Sequence, residues 1–429
     1  MSEGDVREWM RADWNARAKE DANYYVAFGR RGQGFEEFVA TGSDVVRSLV
    51  AELKRLPAAR SRRARRALEI GCGPGRLMLP LCVHFGEIHG VDVSDEMVGR
   101  ARQNLRGIPH AHVHAGPGDD LGQFADESFD LVYSYAVFQH IPSQDVIWNY
   151  LREAARVVRP MGLIRCQVNG LHKGPGEQSD TWSGASFTGA MLREFARAQG
   201  LQLLALEGEG TQYLWMTLRK PGPASAPERA PVLVRVTNAE SSEPCAPASG
   251  RYAAIAVLVD GLPEAADVNS LEVRVRGAAG MTTYIGPPAQ DGLVQVNAVL
   301  PSGLRTGLAP VELWWNGALL AGGGMVRILP APPMVPRLVS VTDGVDIVSG
   351  TRITSGVVKI ILEDVAELGG FEGRVNGQPV RQIESFLTMP QVPRWEVNFH
   401  LPEGMAAGPA TLDLVVARRS LGRFEISVG

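Results

Sequence analysis

The chain is short of cysteine, of long apolar runs and of any excess of one charge, and each shortage excludes something. Cys72, Cys82, Cys166 and Cys245 are the only cysteines in 429 residues. They match neither a zinc spacing nor a disulfide framework, so a reducing cytoplasm is the expected compartment. No run of about 18 uncharged apolar residues occurs, which leaves no candidate for a helix that spans a membrane. The first ten residues carry Glu3, Asp5, Arg7 and Glu8 where a secretory signal would be apolar. With 43 Lys and Arg against 47 Asp and Glu, the net charge is −4, and nucleic acid is not expected as a partner. Hydrophobic residues make up 45% of the chain, enough for a folded protein of about three domains.

What is present divides the chain in two. Basic and acidic residues balance through Lys220, and seven of the eight histidines lie before it. The Pro/Ala/Ser-rich segment 221–230 reads as a linker. Beyond it the sequence repeats. Val234-Arg-Val-Thr-Asn returns as Val339-Ser-Val-Thr-Asp, and Leu300-Pro-Ser-Gly-Leu returns as Leu401-Pro-Glu-Gly-Met. Runs such as Leu271-Glu-Val-Arg-Val alternate apolar and polar residues, the period of a strand. Two immunoglobulin-like β-sandwiches, 231–330 and 336–429, are expected, without the Cys–Trp–Cys pattern of antibody domains.

The first half alternates helix and strand, which predicts an α/β, Rossmann-like doubly wound sheet. A helix is expected over 6–28, with Trp14, Arg17, Asp21, Tyr24 and Phe28 on one face. A second is expected over 43–56, capped by Ser43 or Asp44, and a third over 77–85. The strand 67–70 runs into Gly71-Cys72-Gly73-Pro74-Gly75, where glycines permit unusual backbone angles and close approach of a ligand. Arg76 breaks the dinucleotide fingerprint. Asp92, at the end of the next strand, is placed to accept both hydroxyls of a ribose. The acids Asp119 and Asp120 follow the third strand, where one could accept from an adenine amino group.

These stretches, taken in order, resemble a class I S-adenosylmethionine (SAM)-dependent methyltransferase of the small-molecule, type 11-like kind. The likeness rests on ALEIGCGPGRL (67–77), GVDVSDEMVGRAR (90–102), ESFDLVYSYAVFQHIP (127–142) and LREAARVVRPMGLI (151–164). It covers about half of the chain, residues 1–220, with 1–66 as a helical lid. It implies that Gly71, Cys72, Gly73 and Gly75 border the methionine portion of SAM and that Asp92 binds ribose. Val93 and Met97 would flank adenine, Asp119 or Asp120 would meet its amino group, and Ser134 and Tyr135 would lie beside the cofactor. One departure is Met161, which stands where the family carries glycine.

Methyl transfer from a sulfonium is an in-line displacement, so positioning matters most, at about 7–11 kcal/mol. A base is needed only for a weakly acidic acceptor. His140 is the candidate base, with Tyr24 beside it as a second catalytic candidate. Trp14, Asn23, Tyr25, His172 and Trp182 are candidates for the substrate side. His110, His112 and His114 alternate along one strand, but no carboxylate or cysteine completes an evident set, so no metal is expected. The expected acceptor is a small molecule, a glycan or a carrier-bound intermediate, with the repeats serving recognition or self-association. A scaffold with a vestigial SAM fold, or another reaction such as aminopropyl transfer, are the alternatives.

Overall fold

A computed structural model of the chain describes residues 3–27, 31–171, 178–223, 229–346, 349–390, 392–416 and 418–429. Parallel strands β1 (Arg66–Ile70), β2 (Glu87–Asp92), β3 (Ala111–Ala115), β4 (Phe129–Ser134) and β5 (Val158–Val168) are followed by β6 (Gln202–Glu207) and antiparallel β7 (Leu214–Arg219). Their order is β3-β2-β1-β4-β5-β7-β6. The direction of strand order reverses between β1 and β4, and a ligand crevice opens there at the carboxyl ends of the strands. The central strands are buried on both faces, as helix-covered parallel strands must be. Helices α1 (Glu3–Ala27), α2 (Phe35–Ala40), α3 (Ser43–Glu52), α4 (Met78–Leu81), α5 (Asp95–Asn104), α6 (Gln144–Val157) and α7 (Gly189–Ala198) complete this part. Ser94, Ser143 and Thr188 cap α5, α6 and α7 through their hydroxyls.

Three expectations about helices need correction. α1 breaks at Asp21, whose backbone is extended (φ −163°, ψ 89°). The Asp21 carboxylate accepts from the amides of Tyr24 and Gly32, so it caps a new short segment instead of continuing the first. Phe28 lies outside the described residues. α3 starts after Gly42 with no side-chain cap, because the Ser43 hydroxyl donates back to Ala40 O. It ends at Glu52 in a 3₁₀ turn, Leu53–Arg55. The 77–85 helix shrinks to one turn around Pro80, followed by the 3₁₀ turn Cys82–His84. At Met161 the backbone is left-handed (φ 65°), which explains why a glycine is the usual residue there.

Everything beyond residue 231 is β-rich. Strands β8 (Val232–Asn238), β9 (Cys245–Pro247), β10 (Ala254–Asp260), β11 (Leu271–Val275), β12 (Ala278–Ala279), β13 (Met281–Ile285), β14 (Val294–Val299), β15 (Gly307–Trp315) and β16 (Ala318–Leu329) form the first unit. Of these, β13, β14, β10 and β8 extend the α/β sheet itself to eleven strands, joined where Tyr284 pairs with Ala205 on β6. The linker 221–230 is therefore a boundary of the chain but not of the sheet. The amide of Val268 donates to Leu203 O at 2.8 Å, Arg193 Nη2 to Thr282 O at 3.0 Å and Gln202 Nε2 to Glu264 O at 2.9 Å. A single apolar core runs through Leu203 and Leu206 to Val257, Val268 and Ile285.

The second unit comprises β17 (Arg337–Asp343), β18 (Arg352–Ile353), β19 (Val357–Glu363), β20 (Glu372–Val375), β21 (Gln378–Pro379), β22 (Arg381–Met389), β23 (Arg394–His400), β24 (Gly408–Val416) and β25 (Arg419–Val428). Its two sheets, β17-β19-β23-β22 and β18-β25-β24-β20-β21, share a core around Ile360, Val397, Phe399, Leu412 and Leu414. The sequence repeat has a structural counterpart. Asn238 and Asp343 each end the first strand of their unit, and each accepts from the amides two and three residues on. Burial works against the Asp343 carboxylate, but its backbone and Ser355 donors prevail and draw its pKa down to about 2. Arg251 of the first unit reaches across to Glu363 at 3.1 Å and Asp364 at 3.4 Å.

Because the first unit covers β6, a chain ended at residue 220 exposes an unpaired strand edge and the apolar side chains behind it. It should aggregate, whereas a chain ended at residue 335 should keep the thermal transition of the α/β part. Size-exclusion chromatography and calorimetry of the two truncations check this.

Candidate active site

The crevice at the β1/β4 reversal opens into a cavity under α1. Its floor is the glycine loop. The amides of Gly71 and Cys72 both donate to Val91 O, which folds the loop back over β2. Gly71 and Gly73 line the cavity with left-handed backbones (φ 72° and 50°). A Cβ on Gly71 would fall inside the Val137 side chain, so any other residue here is strained and must push Val137 aside. Gly75 also has positive φ (88°), but it packs on Leu105 and serves the turn. Cys72 is buried beneath the loop against Gly90, and burial raises its thiol well above the usual range. It is neither a cavity wall nor a poised nucleophile.

Asp92 stands at the cavity's edge. Its Oδ2 accepts from the Gly73 amide and its Oδ1 from the Ser94 amide, both at 2.9 Å. Each oxygen keeps a further lone pair for a ligand hydroxyl. Burial raises its pKa to about 6, against the pull of those backbone donors. Val93 and Met97 continue the wall from Asp92 onto α5, and Gly118 closes that side. Next to Gly118, Asp119 receives Arg7 Nη1 on Oδ2 at 2.9 Å, while its buried Oδ1 has no hydrogen-bond partner among the described residues. Asp120 instead turns its Oδ1 to the Gly122 amide in a local turn.

At the end of β4 the outcome is mixed. Tyr135 lines the cavity, stacked on Trp215 with ring centroids 5.4 Å apart. Ser134 does not line it: its buried hydroxyl donates to Ile70 O at 3.0 Å and ties β4 to β1. Ala136, beside the cavity, holds a left-handed conformation (φ 56°) fixed by its amide donating to Gln167 Oε1. His140 is buried and absent from the described cavity wall. Its Nδ1–H donates to Trp182 O at 2.8 Å and its Nε2 accepts from Gln139 at 3.1 Å. Burial lowers its pKa to about 4, so it is a neutral imidazole with both nitrogens in use.

The lid residues separate in the same way. Trp14 and Tyr25 line the cavity, and Tyr25 is held by its hydroxyl donating to Glu20 at 2.8 Å. Tyr24 is buried beside Tyr25 and Arg31. Asn23 exchanges hydrogen bonds with Gln33, joining α1 to the following loop. Trp182 is 42% exposed and shares the Arg17 guanidinium with Trp14, each ring centroid 4.9 Å away. His172 lies outside the described residues. Sequence reasoning missed Met10, Val26, Val137, Ile141 and Tyr150, all cavity walls, and Asn15, whose Oδ1 accepts from Ser94 Oγ and the Glu96 amide. Met10 was within reach, being one helical turn ahead of Trp14.

With this geometry in place, comparison with known proteins identifies the region. Residues 68–166 match the family model described as a methyltransferase domain. Over this stretch the chain is similar to methyltransferases. Phosphoethanolamine N-methyltransferase 2 of Caenorhabditis elegans is 35% identical over 115 residues, 26% of this chain and 25% of that protein. A ubiquinone biosynthesis O-methyltransferase of Sinorhizobium fredii is 33% identical over 100 residues, 23% of this chain and 39% of that protein. The chain thus spans well under half the length of these curated relatives. Among solved structures, magnesium protoporphyrin IX methyltransferase from Synechocystis with bound SAH is 17% identical, covering 49% of this chain and 97% of that one at a TM-score of 0.37. No described helix is long and apolar enough to cross a membrane.

Replacing Gly71 by alanine should cost about 2–3 kcal/mol through left-handed strain and the collision with Val137. Gly73→Ala meets only Val26 at 3.4 Å and should cost about 1–2 kcal/mol. Urea unfolding of both variants beside wild type checks the order.

Proposed function

We propose that the protein transfers the methyl group of SAM to an acceptor that enters the cavity beneath α1. The observation that carries this reading is the Asp92 carboxylate, fixed by Gly73 and Ser94 with free lone pairs at the cavity edge. The residues present fit the cofactor. Gly71 and Gly73 leave room that a Cβ would fill, and the unpartnered Asp119 Oδ1 suits an amino-group donor. Asp92 would hold the ribose hydroxyls, Val93 and Met97 the adenine faces, and Tyr135 the reacting end. When bound, SAM supplies a methyl group already activated on a sulfonium.

Around it the chain's own residues orient and exclude water. Trp14, Tyr25, Val137 and Ile141 give the cavity apolar walls, so solvent is kept from the reacting atoms. The titratable side chains in the described wall are Asp92 and three tyrosines, Tyr25, Tyr135 and Tyr150. Burial raises the pKa of Tyr135 and Tyr150, and His140 is engaged elsewhere. This supports transfer driven by positioning to an acceptor atom that is nucleophilic without a general base, such as an amine, a thiolate or a phenolate. The two β-rich units we read as immunoglobulin-like repeats that recognise a larger acceptor or join copies of the chain. Their sequence repeat and the matching Asn238 and Asp343 turns support that reading. Four free cysteines suit a reducing compartment such as the cytoplasm.

Isothermal titration calorimetry of SAM and its demethylated product against wild type and Asp92→Ala tests the reading. Wild type should bind in the micromolar range, and the variant should lose about 3 kcal/mol, on the order of 100-fold. Absence of binding by folded wild type would overturn the proposal. The pH dependence has a defined sign. Asp92 titrates at about 6, and only its ionised form accepts two hydroxyls. Affinity should therefore be level above about pH 7 and fall by up to about tenfold per pH unit as pH drops through the Asp92 pKa.

A further inference from the structure

A second cluster of titratable groups lies away from the cavity, at the outer edge of the sheet. Glu87 and His89 are two apart on β2 and so project from one face, and His89 pairs directly with His112 on the neighbouring edge strand β3. One ligand atom from each of Glu87, His89 and His112 lies within 4.8 Å of the others. We propose that these three side chains form a zinc-type divalent metal site. Two imidazoles and a carboxylate are a recognised zinc donor set that leaves a fourth position open.

The surroundings favour a cation there. In the tautomer that would bind metal through Nε2, the His89 ring proton sits on Nδ1 and Nε2 accepts from Arg66 Nη2 at 3.2 Å. That Nδ1–H donates to His114 Nε2 at 3.1 Å, so His114 orients the ring as the outer partner of a metal-bound histidine does. The His89 Nε2 lone pair then faces a Glu87 carboxylate oxygen at 3.3 Å, two acceptors that need positive charge between them. Arg66 supplies it incompletely. Its Nε lies 2.8 Å from Glu87 Oε2 but makes no hydrogen bond. Phe124 and Phe129 flank the His89 ring and keep it in place. Zinc entry displaces Arg66, whose guanidinium swings toward solvent.

The test uses the untagged full-length chain, freed of metal by a chelator and titrated with zinc against a chromogenic competitor. One zinc per chain is expected, with affinity lowered on the order of 10–100-fold in His112→Ala. His112 is exposed, so this variant keeps the fold, checked by circular dichroism. Arg66→Gln should bind more tightly than wild type, a change that a nonspecific surface site would not show. Cobalt in place of zinc should give the visible absorption of a four- or five-coordinate ion with nitrogen ligands. Failure of wild type to take up zinc, unchanged affinity in His112→Ala, or weaker binding in Arg66→Gln would each overturn the proposal. None of these readouts requires SAM, so the outcome is independent of the methyltransferase reading.

Discussion

The hydrogen bond from the Gly73 amide to the Asp92 carboxylate is the constraint on which the rest of this half depends. It joins the loop after β1 to the end of β2, and it can form only if Gly71 and Gly73 adopt left-handed backbones. That geometry brings Gly71 against Val137, which fixes how the chain leaves β4. Ser134 pins β4 to β1 below, and Gln167 holds Ala136 in a strained conformation above. The chain therefore spends local strain at one corner of the sheet, where the cavity lies. Buried hydrogen bonds around that corner leave it little freedom to relax.

Much of this was legible because local rules and the global fold agree. Strands 66–70, 87–92 and 129–134 alternate with helices, the pattern of a doubly wound sheet. Asp92 could be picked out because a carboxylate at a strand end beside a glycine loop has few structural reasons to be there. Ser134 and His140 show the opposite. Their positions in sequence suit a site, yet each polar atom is consumed by a neighbour that only the fold supplies, Ile70 O for one, Trp182 O and Gln139 for the other.

Lateral pairing is the part that sequence hides. Nothing in the spacing of Glu87, His89 and His112 announces that β2 and β3 run in a register that brings them together. The eleven-stranded sheet is hidden for the same reason. β6 and β13 are almost 80 residues apart, and a single pair, Tyr284 with Ala205, makes the junction. Around it lie Arg55, whose guanidinium sits over the Tyr284 ring, and Arg193, which donates to Val268 O and Thr282 O. Such contacts fix the first β-rich unit against the α/β sheet, and Arg251 carries the connection on to Glu363 of the second.

α1 is secured differently. It roofs the cavity with Met10, Trp14, Tyr25 and Val26, yet most of its polar ties are half-exposed. Arg7 bonds Asp119, Asn15 receives Ser94, and Arg17 links Asp13 to Thr181 between two tryptophans. Exposed pairs of this kind are worth little singly, at most about 1 kcal/mol each. The break at Asp21 also divides the roof into two segments. The cavity is thus roofed through half-exposed side-chain ties and floored by a loop tied through its own backbone, so the roof is where the lower local stability is expected.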